Sequence, residues 1–293
     1  MNRTYGKWPE LVKTVEIGSW KAFQSLVAGI DIGTTSTQAV VMGDGKILGW
    51  ASIPTGSDFA GVGYRALKTA LGDSDLSQSM LKLASTGWGA KHITSASMYD
   101  EVTCHALGGR FLYGKDVHTV VDMGGQTVKA IRLYDWNRVR DVMINDKCAT
   151  GMGRSIETMC SVLQIPLSEV GKLSLDAEPE PEPVSTTCLT YALSETLGLF
   201  GRPEFRSDPL SENQIYASFL YAIAWRIIGV IGKLQPLDVG DVRAYEKLAF
   251  TGGLANNIGI TYRISRELKT ELLESPYDPI LAGAIGAALS VTE

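Results

Sequence analysis

The chain has 293 residues, of which 45% are hydrophobic and 20% charged, and it carries a formal net charge of −5 at pH 7. This acidic balance argues against a nucleic-acid partner, because binding to a phosphate backbone needs a positive surface. The length allows a large buried core and favours two domains over one.

Two further classes of protein are disfavoured by the sequence. No window approaches the apolar length that spans a bilayer, and residues 1–26 carry charges throughout, without the apolar core of a secretory signal. The chain has four cysteines, Cys104, Cys148, Cys160 and Cys188. So few thiols in a chain of this length, without an export signal, predict reduced cysteines in the cytoplasm. The lack of an apolar span predicts no membrane partner.

The first part of the chain predicts mostly strands. Residues 1–26 are predicted to form an appended arm that contains one amphipathic helix. The segment SLVAGIDIGTTSTQAVVMGDGKILGWASIPTG predicts three strands, joined by a tight turn and by a hairpin turn at Gly43-Asp44-Gly45. A helix is then predicted over 63–71, a strand in LKLASTGWGA and a short helix in EVTCHALGGRFLYG.

The opening pattern returns in VHTVVDMGGQTVKAIRLYDWNRVRDVMIN. Residues 31–37 (DIGTTST) align with 122–128 (DMGGQTV), and each segment joins two apolar strands. One recurrence at this distance indicates duplicated halves rather than a solenoid. We therefore predict a first domain over 27–117, to which a helix at 279–293 returns, and a second domain over 118–278.

The rest of the second half alternates loops and helices. The segment DAEPEPEPV, residues 176–184, is predicted as an acidic, proline-broken surface loop. Helices are predicted at 191–200 and 212–234. A strand and turn in KLAFTGGLANN and a helix of small residues in DPILAGAIGAALS complete the chain.

Each Asp-x-Gly turn of the repeat has the composition of a phosphate-binding loop. Its small residues let backbone N–H groups and hydroxyls approach an anion closely. Asp31 and Asp122, at the strand ends, suit Mg²⁺ held partly through water, because Mg²⁺ prefers a few carboxylates and retains waters. Asp-Gly pairs also mark ordinary hairpin turns, and for either motif alone this alternative stays open. The sequence contains no P-loop and no Rossmann glycine pattern.

Three motifs in this order, GIDIGTTST, VVDMGGQTVK and FTGGLANN, resemble the superfamily of actin, sugar-kinase and heat-shock-chaperone ATPases. The resemblance covers about residues 27–293. It implies an α/β fold of two ribonuclease-H-like (actin-like ATPase) domains, with ATP or ADP and Mg²⁺ in a nucleotide cleft between them. The residues that it assigns to the nucleotide are Asp31, Gly33, Thr34, Thr35, Asp122, Gly124, Gly125, Gln126, Gly252 and Gly253. By analogy with GTPases, Gln126 is the candidate for orienting the attacking water, and Asp122 is the alternative catalytic residue.

Six segments narrow the resemblance to one branch: STGWGAKHI, DMGGQTVK, NDKCATGMGR, STTCLTYALSE, FTGGLANN and DPILAGAIGAAL. They look like the ATP-dependent activators of 2-hydroxyacyl-CoA dehydratases and the ATPase subunits of benzoyl-CoA reductase. In that branch, two cysteines per subunit hold one [4Fe–4S] cluster that is shared across a dimer interface. The matching metal ligands here are Cys148 and Cys188.

The residues themselves suit such a site. A four-iron cluster needs four thiolates, which two subunits supply as two each. Cys148 and Cys188 each precede a predicted helix, whose N–H groups and positive dipole end favour thiolates. The alternative, that a cysteine is a small buried hydrophobic residue, is retained for Cys104 and Cys160 and stays open for the other two. Zinc is disfavoured, because the sequence has no Cys-x-x-Cys pair and no histidine near either ligand.

Other polar residues receive no firm role from the sequence. Lys129 and Lys147 could each neutralise phosphate, and a solvated surface position is an equal alternative for each. His92, His105 and His118 are interpreted as structural or surface residues.

The resemblance implies an ATP-hydrolysing electron-transfer subunit that drives low-potential electrons through the shared cluster. The N-terminal arm, and Leu193 where activators tend to show an acidic Glu-Ser-Glu run, favour the shorter ATPase subunit of benzoyl-CoA reductase. The implied partners are a homologous larger ATPase subunit, two catalytic iron–sulfur subunits that dearomatise benzoyl-CoA, and ferredoxin as the electron donor.

Three alternative functions remain open. The first is a homodimeric activator of a 2-hydroxyacyl-CoA dehydratase. The second is a small-molecule kinase of the superfamily, and the third is a nucleotide-dependent scaffold or chaperone.

Overall fold

The computed structural model describes four stretches of the chain, residues 10–134, 138–201, 209–234 and 247–291. They form two compact units that each combine a mixed sheet with helices, which confirms the predicted α/β fold class. The N-terminal unit contains the described residues within 9–120, 131–140 and 274–293, and the C-terminal unit contains those within 121–130 and 141–273.

The N-terminal unit is built on a six-stranded sheet. Its strands are β1 (Leu11–Lys13), β2 (Leu26–Ile32), β3 (Ser36–Gly43), β4 (Lys46–Pro54), β5 (Lys82–Thr86) and β6 (Ser97–Met98). Their order is β1-β4-β3-β2-β5-β6, with β2 antiparallel to β3 and parallel to β5. The predicted hairpin turn is confirmed, since Asp44 and Gly45 both have positive φ, as a type I′ turn requires.

The second sheet repeats the order of the first. Its strands are β7 (Thr119–Met123), β8 (Val128–Leu133), β9 (Val139–Ile144), β10 (Lys247–Thr251) and β11 (Glu271–Leu272). They lie in the order β9-β8-β7-β10-β11, which matches β4-β3-β2-β5-β6 strand for strand. The duplication read from the two Asp-x-Gly motifs therefore extends to the order of five strands in each sheet, whereas β1 of the first sheet has no counterpart among the described strands of the second.

The described residues contain eight α-helices. They are α1 (Phe59–Leu71), α2 (Glu101–Tyr113), α3 (Met152–Val162), α4 (Leu167–Leu175), α5 (Leu189–Gly201), α6 (Glu212–Ile231), α7 (Ile258–Leu268) and α8 (Ala282–Ser290). Two of them, α4 and α7, are absent from the sequence-based prediction. The first is only nine residues long, and the second begins where the KLAFTGGLANN motif ends, at the N-cap Asn257.

The C-terminal helix α8 belongs to the N-terminal unit, where small residues let it pack backbone to backbone. A Cβ on Gly29 of β2 would lie 1.9 Å from the carbonyl oxygen of Ala284, and one on Gly286 would lie 1.8 Å from that of Cys104 in α2. This close approach explains the alanine- and glycine-rich sequence of the helix.

The core of the C-terminal unit surrounds α6. Contrary to the prediction that no segment reaches this length, α6 is long and apolar enough to cross a bilayer by length and composition. However, Phe219, Leu220 and Ile223 are fully buried within the unit, together with most of the helix. Its apolar character is therefore that of a core helix, which leaves only a narrow side with Trp225 exposed.

The predicted amphipathic helix in the N-terminal arm is wrong for the part of the arm that the structure describes. Residues 11–13 instead form β1, the edge strand paired with β4, and a short 3-10 turn follows at Ser19–Ala22. Gly18, with a φ of 74°, breaks any helix before that turn. Trp20 Nε1 then donates to Asp75 Oδ1 (2.7 Å), which fixes the arm to the N-terminal unit. Residues 1–9 lie outside the described residues.

The acidic loop at 176–184 is held to the C-terminal unit rather than freely solvated. Arg263, which is buried, donates from Nε to Glu180 Oε1 (2.7 Å), and Arg266 also pairs with Glu180. Gln214 Nε2 donates to the carbonyl oxygen of Pro179 (3.1 Å). No pattern within the loop predicts these partners, because they lie on α6 and α7, far along the chain.

Candidate functional site

The first predicted phosphate loop is a closed turn between β2 and β3. The N–H of Gly33 donates to the carbonyl oxygen of Ser36 (3.1 Å), and Thr55 Oγ1 donates to that of Gly33 (2.8 Å). Beside the half-exposed Thr34, the Oγ1 of Thr35 is buried and has no hydrogen-bond partner among the described residues. Because a buried unsatisfied hydroxyl costs about 1–3 kcal/mol, this loop offers a donor that a bound oxygen would satisfy.

Asp31 lies in a socket formed by two glycines. It is only 6% exposed. A Cβ on Gly87 would lie 2.2 Å from Asp31 Oδ1, and a Cβ on Gly283 would lie 2.0 Å from Asp31 Oδ2. His105 Nε2 lies 3.7 Å from Asp31 Oδ2 and 4.0 Å from Glu101 Oε1. His105 is therefore a neighbour of this site rather than only a structural or surface residue, and its i, i+4 spacing from Glu101 is the sequence signal that points to it.

The second phosphate loop repeats the geometry of the first. The N–H of Gly124 donates to the carbonyl oxygen of Thr127 (3.0 Å), as Gly33 does to Ser36. Lys129 Nζ lies 3.1 Å from Asp122 Oδ2 and 3.1 Å from Thr127 Oγ1, and Lys129 and Asp122 are both buried. Lys129 is therefore not a solvated surface lysine: it holds the carboxylate of Asp122 in place.

A glycine covers Asp122 in the same way as Gly87 covers Asp31. Gly252 has a φ of 81° and directly follows β10; a Cβ there would lie 2.8 Å from Asp122 Oδ1 and 2.6 Å from the carbonyl oxygen of Met123. Gly253 opens the 3-10 turn that follows. Thr86-Gly87 at the end of β5 and Thr251-Gly252 at the end of β10 are thus equivalent pairs in the two units. They extend the duplication past the two Asp-x-Gly motifs found in the sequence.

The second phosphate loop is joined directly to the N-terminus of α3. The N–H of Gly151 donates to the carbonyl oxygen of Gln126 (2.7 Å), and that of Arg154 donates to the carbonyl oxygen of Gly125 (3.1 Å). A Cβ on Gly153 would lie 2.8 Å from the Cα of Gly125. The half-exposed Gln126 and Gly125 are therefore held directly against the start of α3.

Cys148 is an exposed free thiol on the short 3-10 turn Lys147–Ala149, three residues before Gly151. Asp146 caps this turn, since its Oδ1 accepts from the N–H of Ala149 (3.0 Å). The turn is also attached to the start of β8, because Asn145 Oδ1 accepts from the N–H of Val128 (2.6 Å). Cys148 is thereby held at a defined place beside the second phosphate loop.

Cys188 is a half-exposed free thiol directly before α5. Its carbonyl oxygen accepts from the N–H of Ala192 (2.9 Å), which makes Cys188 the residue that opens the helix. Hydrogen bonds from the backbone N–H groups of Tyr191 and Thr190, with a contribution from the Arg226 charge, lower the pKa of the Cys188 thiol, although partial burial opposes them. This environment favours a thiolate, as predicted for a helix N-terminus.

The other two cysteines are packed inside the units. Cys104 and Cys160 are fully buried, and burial raises the pKa of the first to about 11 and that of the second to about 12. Neither thiol is available as a thiolate ligand near neutral pH. The accessible sulfur donors of the chain are therefore Cys148 and Cys188, both in the C-terminal unit.

Comparison with known proteins places these features in a family. The chain is 34% identical over 270 residues to the activator of lactoyl-CoA dehydratase from Anaerotignum propionicum, covering 90% of this chain and 96% of that protein. It is also similar to the solved activator of the 2-hydroxyisocaproyl-CoA dehydratase from Clostridium difficile with bound ADPNP, with a TM-score of 0.77, 29% identity and coverage of 90% and 93%.

A benzoyl-CoA reductase subunit from Thauera aromatica is more distant, at 27% identity over 280 residues, covering 90% of this chain and 92% of that one. The preference for a subunit of this reductase is therefore not supported over the activator alternative. The likeness to the solved activator covers 90% of this chain and includes both compact units, in agreement with the predicted two-domain α/β architecture.

A family model described as the BadF/BadG/BcrA/BcrD ATPase family matches residues 28–291, which is nearly the whole chain. The match spans both phosphate loops and both accessible cysteines. The chain belongs to the BadF/BadG/BcrA/BcrD ATPase family.

Proposed function

We propose that the chain is an ATP-hydrolysing activator of a 2-hydroxyacyl-CoA dehydratase, which passes low-potential electrons to the dehydratase through a metal centre shared by two subunits. The observation that carries the proposal is the 2.7 Å hydrogen bond from Gly151 N–H to Gln126 O. It connects a phosphate loop of an ATPase family member to the segment that bears an accessible thiol. The similarity to dehydratase activators supports this partner over benzoyl-CoA reductase.

The nucleotide residues are assigned from the two loops. Gly33, Thr34 and Thr35 in the first loop, and Gly124 and Gly125 in the second, present small side chains, N–H groups and hydroxyls to phosphate oxygens. The carboxylates of Asp31 and Asp122 take Mg²⁺ through water, because each is fixed at a strand end in a glycine-lined socket.

The remaining nucleotide contacts come from the β10 turn and from Gln126. Gly252 and Gly253 form the turn that receives the nucleoside. Gln126 orients the attacking water, and Asp122 is the alternative for this role. Gln126 is the better candidate, because Asp122 is already engaged by Lys129 at 3.1 Å.

The donor set fits half of a [4Fe–4S] site. Such a cluster carries one electron at low potential and is held by four thiolates. Cys148 and Cys188 are accessible free thiols, the first on a 3-10 turn and the second at the start of α5, whereas the two remaining cysteines are buried. Two thiolates per chain require a second chain, and we propose a second copy of this chain in the reduced environment of the cytoplasm, with ferredoxin as the electron donor.

Coupling between the nucleotide and the thiols follows from covalent and hydrogen-bond connectivity. A displacement of Gln126 and Gly125 on binding or releasing phosphate shifts Gly151 and the first turn of α3. Cys148 precedes that turn by three residues, so its position and the N–H groups around it change with the nucleotide state. Hydrogen bonds to sulfur are among the protein's means of setting a cluster potential.

Anaerobic purification tests the proposal. The wild-type chain should bind iron and sulfide, hydrolyse ATP with Mg²⁺ and activate a 2-hydroxyacyl-CoA dehydratase in the presence of reduced ferredoxin. Cys148→Ser and Cys188→Ser should each lose iron while keeping ATP binding, and Cys160→Ser serves as the matched control with full iron. Full iron in either ligand variant would contradict the assignment.

The rival functions give different results in the same preparation. A small-molecule kinase would phosphorylate a metabolite with ATP and Mg²⁺. A scaffold or chaperone would be colourless and free of iron. Activation of benzoyl-CoA reduction but not of dehydration would instead assign the chain to the reductase.

A further inference from the structure

Arg226 is a buried charge in the apolar core helix α6. It is 8% exposed, and its neighbours along the helix, Ala222, Ile223 and Ile227, are fully buried. A buried guanidinium is costly unless nearby groups compensate its charge. The groups that compensate its charge therefore indicate which segments of the chain Arg226 interacts with.

One end of the guanidinium holds the segment that leads to Cys188. Arg226 Nη2 donates to the carbonyl oxygen of Ser185 (2.7 Å), three residues before that cysteine, and Nη1 donates to the carbonyl oxygen of Ala222 (3.0 Å). Ser185 is fixed from its other side, since its N–H donates to Glu195 Oε2 of α5 (2.9 Å). Arg226 therefore contributes to the position of the Cys188 loop.

The charge of the guanidinium also reaches both cysteine-bearing segments. Burial lowers the pKa of Arg226 below its ordinary value, while the charges of Cys188 and Asp146 act in the opposite direction. Asp146 is the residue whose carboxylate caps the turn that carries Cys148. The Nε–H of Arg226 is buried and has no hydrogen-bond partner among the described residues. The cation thus acts on Cys188 itself and on Asp146, which lies two residues before Cys148.

We propose that Arg226 is a positioning residue for the metal centre: it holds the Cys188 loop through Ser185, and its positive charge makes the centre easier to reduce. This inference rests on the proposed function. Adding an electron makes a thiolate-bound cluster more negative, and a nearby cation stabilises the more negative form. Asp146 opposes this effect beside Cys148, so the two charges together set the potential.

The test is the midpoint potential of the reconstituted iron–sulfur protein, measured anaerobically by redox titration with electron paramagnetic resonance. Arg226→Gln should bind the same amount of iron and shift the potential to more negative values. Arg226→Lys keeps the charge and should stay near the wild-type potential. Arg65→Gln, which removes an exposed arginine of the N-terminal unit, is the control and should not shift it.

The outcomes separate this inference from the proposed function. A wild-type chain without iron defeats both. An iron-loaded Arg226→Gln variant with the wild-type potential, or a shift as large in Arg65→Gln, overturns the role of Arg226 alone. If Arg226→Gln does not fold, Arg226→Met decides, because methionine removes the charge and suits the apolar surroundings of Ala222, Ile223 and Ile227. Its potential should also shift to more negative values, and an unchanged or higher potential overturns the inference.

Discussion

Gly151 and Gln126 join the two halves of the proposed mechanism through one backbone hydrogen bond of 2.7 Å. Gln126 lies in the second phosphate loop, and Gly151 begins the helix that follows Cys148. At this junction Gly151 adopts a φ of 91°, a left-handed conformation that residues with a Cβ rarely adopt. The connection between nucleotide and thiol therefore depends on a glycine at this position.

Gly151→Ala should weaken this connection. A left-handed conformation costs a residue with a Cβ about 1–2 kcal/mol, which corresponds to a loss of roughly tenfold in a coupled rate. We expect the rate of ATP-dependent electron delivery to fall by that factor, with iron content and nucleotide affinity close to wild type. Gly198→Ala is the control: Gly198 lies in α5 with nothing within 4 Å of an added Cβ, and the substitution should leave the rate unchanged.

Gly87→Ala and Gly252→Ala should weaken binding of Mg²⁺–ATP. In each variant the new methyl group would meet the aspartate carboxylate, at 2.2 Å for Asp31 and 2.8 Å for Asp122. We expect Kd to rise about tenfold or more, because a loss of about 1.4 kcal/mol in binding free energy raises Kd tenfold. Isothermal titration calorimetry measures this change. Gly45→Ala is matched in backbone conformation, with a φ of 77°, but meets no atom within 4 Å, so its Kd should equal that of the wild type.

Local sequence signals were sufficient for most of the fold. The Asp-Gly hairpin, the apolar strands and the recurrence of Asp-x-Gly each depend on residues close together in the chain, and the structure has the predicted turn and a duplicated sheet. The helix predicted in the N-terminal arm failed for a nonlocal reason. Residues 11–13 hydrogen-bond to β4, and no sequence pattern within the arm predicts this pairing.

The candidate site shows the same limit. Asp31 and Asp122 are recognisable from their motifs, but the groups that surround them come from distant segments. Gly283 of α8 borders Asp31, and Arg226 of α6 reaches the Cys188 loop through Ser185. Such contacts arise when helices pack on a sheet, so a single sequence can name the ligands and not the residues that position them.

Lys129→Met should destabilise the C-terminal unit. Removing one partner of a buried ion pair leaves the other charge poorly compensated, at a cost of about 3–5 kcal/mol, and Lys129 and Asp122 are both buried at 3.1 Å. We expect a lower urea midpoint, followed by circular dichroism. The double variant Lys129→Met with Asp122→Asn should recover part of the loss, because it removes both charges. Additive losses in the double variant would show that the two side chains do not stabilise each other.

The four thiols should differ in reactivity in the metal-free, reduced protein. Because hydrogen bonds from Tyr191 and Thr190 lower the pKa of Cys188, its thiolate fraction at neutral pH exceeds that of an ordinary cysteine, and alkylation by iodoacetamide should level off at lower pH. Cys148, which is exposed, should also be modified. Cys104 and Cys160, buried with pKa values raised to about 11 and about 12, should remain unmodified until urea unfolds the chain. Peptide mass spectrometry over a pH series measures each site, and equal labelling of all four cysteines in the folded chain would rule out the assignment of Cys148 and Cys188 as the accessible pair.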